Sequence, residues 1–280
     1  MSQPGGRGGG QRSFRLPQPG LSGCTGRVPD FRAFCPTIEC QPASLKLSPE
    51  ESHHLVVVNR ARQGDVVMAF DGRGTEWTCK LAAAHKSGAV LSVCATRTLP
   101  PPPCALTLAQ ALPKGGVMED IVRHATELGA GCIVPLETER TQVHLDSARS
   151  DRKIEKWRVT ALEAAKQCGN PFLPEITDLQ TLTAFLTSGT VVAAPLKLVA
   201  SLHDSAQSLK TVLADFRLAN GGHPPAGVVW LVGPEGDFSP AEMSAVRTAG
   251  FEPVTLGPLV LRCDTAATAA LSILLFETSF

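Results

Sequence analysis

Residues able to do chemistry cluster late in this chain. Leu231–Met243 reads LVGPEGDFSPAEM and leaves the apolar run GVVWLV (227–232) through two glycines that bracket Glu235. Gly233 and Gly236 allow backbone angles closed to other residues and let a ligand approach the main chain. A turn alone does not require the glutamate between them, so Glu235 is a candidate functional group. Ser239-Pro-Ala-Glu242 is a capping box with proline at the first helical position. A helix therefore starts at Ser239, and residues 233–238 are a shaped loop ahead of it. Taken alone, the loop also reads as an ordinary strand-to-helix turn. It lacks G-x-x-x-x-G-K-[ST], and no G-x-G-x-x-G follows a strand, so a nucleotide here would be gripped by backbone amides and carbonyls. Arg262 stands just before the last helical pattern, where a cation gains nothing from the helix dipole. It is a candidate contact for a phosphate or a developing negative charge, with a surface pair to Asp264 as the plainer reading. No Ser-His-Asp or Cys-His arrangement follows from spacing, and no carboxylate pair stands out for hydrolysis.

These residues need a frame to hold them. From Cys104 onward, strand patterns alternate with helical ones. ALTLAQAL (105–112), CIVPL (132–136), TVVAA (190–194), GVVWLV (227–232) and EPVTLG (252–257) read as strands. Val117, Ile121, Val122, Ala125 and Leu128 share a helical face that Gly129 stops, a second helix covers about 150–168, and a third starts near Asp264. That alternation predicts a mostly parallel sheet covered on both faces. Ligands bind at the carboxyl ends of such strands. Three loops are placed there: Pro195–Leu198, Gly233–Gly236 and Leu256–Arg262.

Upstream, VVVNRARQGDVVMAFDGRGTEWTCKLAAA (56–84) alternates short apolar runs with Gly-Asp, Asp-Gly and Arg-Gly turns, which suggests a small β-barrel over 31–99. Leu99–Pro103 is a stiff, proline-rich linker, so residues 100–104 mark the boundary to a second domain at 105–280. Residues 1–30 are rich in Gly, Pro and Arg, without apolar periodicity, and are expected to be a disordered extension; a transit peptide has a similar composition.

The chain of 280 residues balances 26 basic against 26 acidic side chains. Residues 1–100 hold 12 basic and 7 acidic, and the remainder 14 and 19, so the excess positive charge lies with the predicted barrel. Both a solvated surface and an RNA-facing module fit that asymmetry. The nine cysteines form no C-x-x-C and no Cys/His cluster, which points away from metal and toward a reduced, cytoplasmic compartment. Cys168 and Cys263 are expected as small buried thiols, and His53-His54 as a hydrogen-bonding pair. No apolar run approaches the roughly 20 residues of a membrane span.

Read together, LVGPEGDFS and LGPLVLRCDTAATAAL resemble the RsmE family of 16S rRNA uridine-N3 methyltransferases, of the SPOUT superfamily. The likeness extends through QALPKGGVMEDIVRHATELG (110–129), IVPLETERT (133–141), ALEAAKQCGNPFLPEI (161–176), HHLVVVNRARQGD (53–65) and FDGRG (70–74). Together these span the chain from about Phe31 to its end. The resemblance implies a trefoil-knotted α/β domain behind a PUA-like β-barrel. It also implies S-adenosyl-L-methionine (SAM) as cofactor, 16S rRNA of the small ribosomal subunit as partner, and a homodimer packed through the knots. By this match Leu196, Val232, Gly233, Glu235, Gly236, Leu256, Gly257, Val260 and Leu261 line the cofactor site. Arg262 and Glu235 become the catalytic candidates. Lys114 and Arg140 match positions near the site, and Arg60, Arg62 and Arg73 of the barrel are candidates for holding RNA.

The chain departs from the family pattern in places. Asp237 replaces a glycine, Leu259 an arginine, Asp264 a glutamate, Lys166 a glutamate and Asn170 an arginine. Leu259 and Asp237 lower the positive potential near the site and leave the backbone cradle intact. A methyltransferase of another RNA, or a non-catalytic RNA-binding or ribosome-assembly protein on the same fold, therefore stand as alternatives.

Overall fold

The computed structural model describes residues 31–36, 42–142, 146–203 and 205–279. The expected extension at 1–30 lies outside them. Up to Thr98 the chain forms one five-stranded sheet, from β1 (Phe31–Phe34), β2 (Ser44–Lys46), β3 (Val66–Phe70), β4 (Thr75–Ala83) and β5 (Val90–Thr98), in the order β1-β3-β4-β5-β2. Only β1 pairs in parallel, with β3. Along β4 every second residue, Trp77, Cys79 and Leu81, is buried against Ala33, Val67 and Leu91, the period of a strand with one face in a core. Helix α1 (Pro49–His53), capped by the Ser48 hydroxyl, brings Leu55 onto that core. The edges of the sheet curl toward each other where the Cys35 thiol lies 3.9 Å from the Lys46 carbonyl.

The second sheet begins at β6 (Ala105–Ala111). It continues through α2 (Val117–Glu127), β7 (Cys132–Glu137), α3 (Ser147–Cys168), β8 (Glu175–Ile176), β9 (Gln180–Thr181), α4 (Leu182–Leu186), α5 (Gly189–Ala193), β10 (Leu196–Ala200) and β11 (Gln207–Ser208). The chain ends with α6 (Leu209–Ala219), β12 (Gly227–Val232), α7 (Pro240–Thr248), β13 (Glu252–Thr255) and α8 (Cys263–Ser279). The strand order is β11-β13-β10-β12-β6-β7-β8, with β9 also beside β7, and every pairing is parallel. All six residues of β12 are buried, as a central strand covered on both faces requires. Leu108, Ile121, Trp157, Trp230 and Leu271 fill one face, and Leu136, Phe185, Leu231 and Val246 the other.

The TVVAA segment is not a strand. Ser188 caps it, its hydroxyl accepting from Val191 N, and it turns as α5. Val191 is buried while Val192 is 74% exposed, so the segment has one apolar face where a central strand needs two. The strand is the next run, LKLVA, which pairs with both β12 and β13. Leu196 therefore enters the sheet at the amino end of β10, the end opposite the ligand-binding loops. Cys168 is also exposed rather than buried, because it is the last residue of α3, where Gly169 at φ 83° ends the helix.

β13 lies between β10 and β11. The chain leaving β10 must pass over the end of β13, where Ser201 N donates to the Val254 carbonyl (2.9 Å). The chain leaving β13 must cross that connection to place α8 against α2, β6 and β12. Two connections crossing at one end of the sheet are the arrangement of the expected trefoil knot, a rare topology.

The two sheets are joined by more than their linker. Lys166 Nζ, on α3, reaches Glu51 Oε1 at 2.7 Å and Glu163 Oε1 at 2.8 Å, and Glu51 Oε2 accepts from Phe34 N. The 170–173 loop lies along the FDGRG turn, with Gly74 N donating to the Pro171 carbonyl and Leu173 N to that of Gly72. A Cβ at Gly74 would stand 2.6 Å from the Phe172 ring, and φ there is 100°, so only glycine fits. Asn170 donates to the Thr126 carbonyl and accepts from Phe172 N, which shapes that loop. No helix among the described residues is long and apolar enough to cross a membrane.

Candidate cofactor pocket and active site

A cavity of about 390 Å³ opens at the carboxyl ends of β10, β12 and β13. Ala200, Ser201 and Leu202 line it from β10, and Val232, Gly233, Pro234, Glu235 and Asp237 from β12. Val254, Leu256 and the run Leu259–Cys263 close it from β13, with Val117 and Ala266 as floor. Leu202, Leu259 and Val260 are 56%, 72% and 81% exposed, so the lip is aliphatic and open to solvent.

Each loop owes its shape to local chemistry. The capping box at α7 is complete: Ser239 Oγ accepts from Glu242 N, and Glu242 Oε2 from Ser239 N. The other Glu242 oxygen accepts from Glu139 N (2.8 Å), tying the start of α7 to the loop after β7. A Cβ on Gly233 would meet the Phe238 ring at 3.0 Å. A Cβ on Gly236 would stand 3.3 Å from Arg140 Cβ, and Arg140 Nη1 donates to the Gly236 carbonyl (2.8 Å). Asp237 takes φ 60°, a left-handed angle that aspartate tolerates, and its Oδ1 accepts from Phe238 N. Glycine adopts that angle as readily. Gly257 has φ 149°, with its N–H and carbonyl both bonded to the Thr255 hydroxyl.

Glu235 Oε1 accepts from Lys114 N (2.9 Å), so the carboxylate between the glycines braces the loop after β6. Arg262 lines the cavity with its side chain 79% exposed, Nε 3.7 Å from Asp264 Oδ1. Cys263 is half-buried, and its thiol is held above the ordinary range by burial and then by the Glu235 charge. It stays protonated at neutral pH and is a poor nucleophile there.

Of the expected site residues, the structure brings together Val232, Gly233, Glu235, Leu256, Val260, Leu261 and Arg262 around the cavity. Leu196 lies at the amino end of β10, away from the cavity. Gly236 and Gly257 do not line the cavity: one makes room for Arg140, the other turns the chain after β13. Lys114, through its backbone N–H to Glu235, and Arg140, through its guanidinium to the Gly236 carbonyl, touch the loop after β12 without lining the cavity. Arg60, Arg62 and Arg73 are exposed on the five-stranded unit and do not line the cavity. Ala200, Ser201 and Leu202 were missed because the strand leading to them was placed one run too early. His54 lies near Asn59 and Glu163, and no group of three potential metal ligands occurs among the described residues.

Residues 100–275 match the family model for an RNA methyltransferase domain, and residues 47–94 that for an RNA methyltransferase PUA domain. The chain is 36% identical to the Ribosomal RNA small subunit methyltransferase E of Synechocystis sp., over 82% of this chain and 72% of that protein. To the enzyme of that name from Bacillus subtilis it is 29% identical, over 84% and 91%. A Legionella pneumophila protein solved with SAM bound superposes with a TM-score of 0.78 at 33% identity, covering 88% of this chain and 97% of that one. A Neisseria gonorrhoeae Ribosomal RNA small subunit methyltransferase E bound to SAM gives 0.74 at 26% identity, over 86% and 95%. With both domain models matched in order and the likeness spread over most of its length, the chain belongs to the ribosomal RNA small subunit methyltransferase E family.

Proposed function

We propose that this chain is a SAM-dependent methyltransferase that methylates N3 of a uridine in 16S rRNA, working in the cytoplasm as a homodimer. The observation that carries the reading is the cavity itself: three loops at the carboxyl end of a parallel sheet, apolar inside, with Glu235 and Arg262 on its wall. Its residues fit the cofactor. Leu202, Val232, Leu256, Val260 and Leu261 offer apolar walls, and the bends at Ser201, Gly233 and Leu256 present backbone groups. Two similar solved proteins, from Legionella pneumophila and Neisseria gonorrhoeae, carry SAM in their structures.

When bound, the cofactor supplies a methyl group on a sulfonium, and its transfer to N3 leaves a neutral thioether. The protein's own residues do the rest. Uridine N3 is a nucleophile only once its proton is gone, released to solvent water at the open mouth of the cavity, so negative charge develops on the uracil ring. Arg262, at the open side of the cavity, stabilises that charge. Glu235 holds the loops after β6 and β12 at a fixed separation, orienting the two reactants. Cys263, kept as a thiol, does not compete for the methyl group. Watson–Crick pairing buries N3, so the target is an unpaired or flipped uridine. The five-stranded unit, residues 31–99, holds RNA backbone through Arg60, Arg62 and Arg73. Residues 105–280 carry the chemistry, with Lys114 and Arg140 on the RNA side of the pocket.

Incubation of the full chain with methyl-labelled SAM and 30S subunits from a strain lacking this modification tests the reading. Label in 16S rRNA at a single N3-methyluridine is expected. Label in another RNA would redirect the substrate, and no label in any RNA would overturn the enzymatic reading.

A further inference from the structure

Asp264 follows the cavity-lining Arg262 and Cys263 but does not itself line the cavity. Its side chain is about one-third exposed, yet Oδ1 is sealed from solvent and receives no hydrogen bond. A buried carboxylate oxygen without a donor is an unfavourable arrangement that native proteins keep for a reason. The cation beside it is Arg262, with Nε 3.7 Å away: a charge contact, too long for a hydrogen bond. Among the described residues, neither Nη of Arg262 has a hydrogen-bond or ion-pair partner. The guanidinium is a rigid planar fork. A carboxylate on Nε–H leaves the edge formed by the two Nη groups free to meet an oxyanion with two parallel bonds.

We infer that Asp264 is a positioning residue for Arg262. It takes the Nε–H when the Nη edge engages the substrate, and so turns that edge toward the charge that develops there. This deepens the role proposed for Arg262 and rests on it. The plainer role for an acid in the first turn of α8 is a favourable interaction with the helix dipole, which would not depend on Arg262 at all.

A double-mutant cycle separates the two. Asp264→Asn keeps the shape and removes the charge. The expected result is a fall in kcat of roughly tenfold or more in the otherwise native chain, and of less than about twofold in the Arg262→Ala background. SAM affinity by calorimetry and the melting temperature stay unchanged, and Asp264→Glu restores most of the turnover. An equal loss in both backgrounds, unchanged turnover in Asp264→Asn, or a joint fall in cofactor affinity and melting temperature would overturn the assignment. A second readout does not depend on turnover. The ¹H–¹⁵N signal of Arg262 Nε, assigned by its absence in Arg262→Ala, should be protected from exchange on addition of 30S subunits or a uridine-rich RNA strand, and unprotected in Asp264→Asn. Equal protection in both would also overturn it. If the native chain methylates nothing, the function fails, while the Nε signal still decides whether Asp264 holds the guanidinium.

Discussion

The seam between the two sheets and the wall of the cavity use the same residue types to opposite ends. At the seam, Lys166 is buried between Glu51 and Glu163. Glycines there let backbone meet backbone. At the cavity, Arg262 is mostly exposed and only loosely held, and aliphatic side chains face solvent. Charge that is closed off by partners fixes one unit on the other. Charge left open is available to a substrate. Lys166 is 8% exposed and the Arg262 side chain 79%, and that difference in burial tells their roles apart.

The contrast is broken most severely at the seam. Lys166→Ala leaves Glu51 buried without its counter-charge and beside Glu163, so stability should fall by about 3–5 kcal/mol. Urea unfolding measures it, and an unchanged midpoint would mean that the pair does not join the units. Next, Arg262→Ala should lower turnover roughly 10²- to 10³-fold while SAM affinity changes little, since its charge matters only as the reaction proceeds. Single-turnover kinetics beside calorimetry provide the split, and equal turnover would remove Arg262 from the mechanism. Ser239→Ala removes half of the capping box, and a loss of about 1 kcal/mol is expected in thermal unfolding. The smallest effect concerns Cys263. The Glu235 charge helps raise its thiol, so Glu235→Gln should lower the thiol's pKa and speed its alkylation by a small factor at pH 8. Peptide mapping after iodoacetamide reads this, and slower labelling would contradict the proximity of the two groups.

Much of this is legible in the sequence itself. Ser239-Pro-Ala-Glu242 spells its cap, Gly129 stops its helix, and GVVWLV is apolar because both faces of β12 are covered. The β10 region was not legible, because TVVAA and LKLVA are adjacent apolar runs of five residues split by Pro195. Nothing local distinguishes a one-faced helix from a two-faced strand at that length. That ambiguity displaced the first loop and brought Leu196 into the site in place of Ser201 and Leu202. Gly257 meets a conformational demand, at φ 149°, whereas Gly236 meets a steric one set by Arg140, a residue distant in sequence. The role of Lys166 was equally hidden, since its partner Glu51 lies 115 positions away.

The central claim, that the three-loop cavity is the SAM site, is tested most directly by calorimetric titration of SAM into the native chain and into Leu261→Arg. Leu261 lines the cavity, and an arginine there sets a second positive charge against the cationic sulfonium. The account predicts saturable binding of one cofactor per native chain and none measurable in Leu261→Arg, with the melting temperature of the free proteins nearly equal. Equal binding by both would place the cofactor elsewhere and contradict the account.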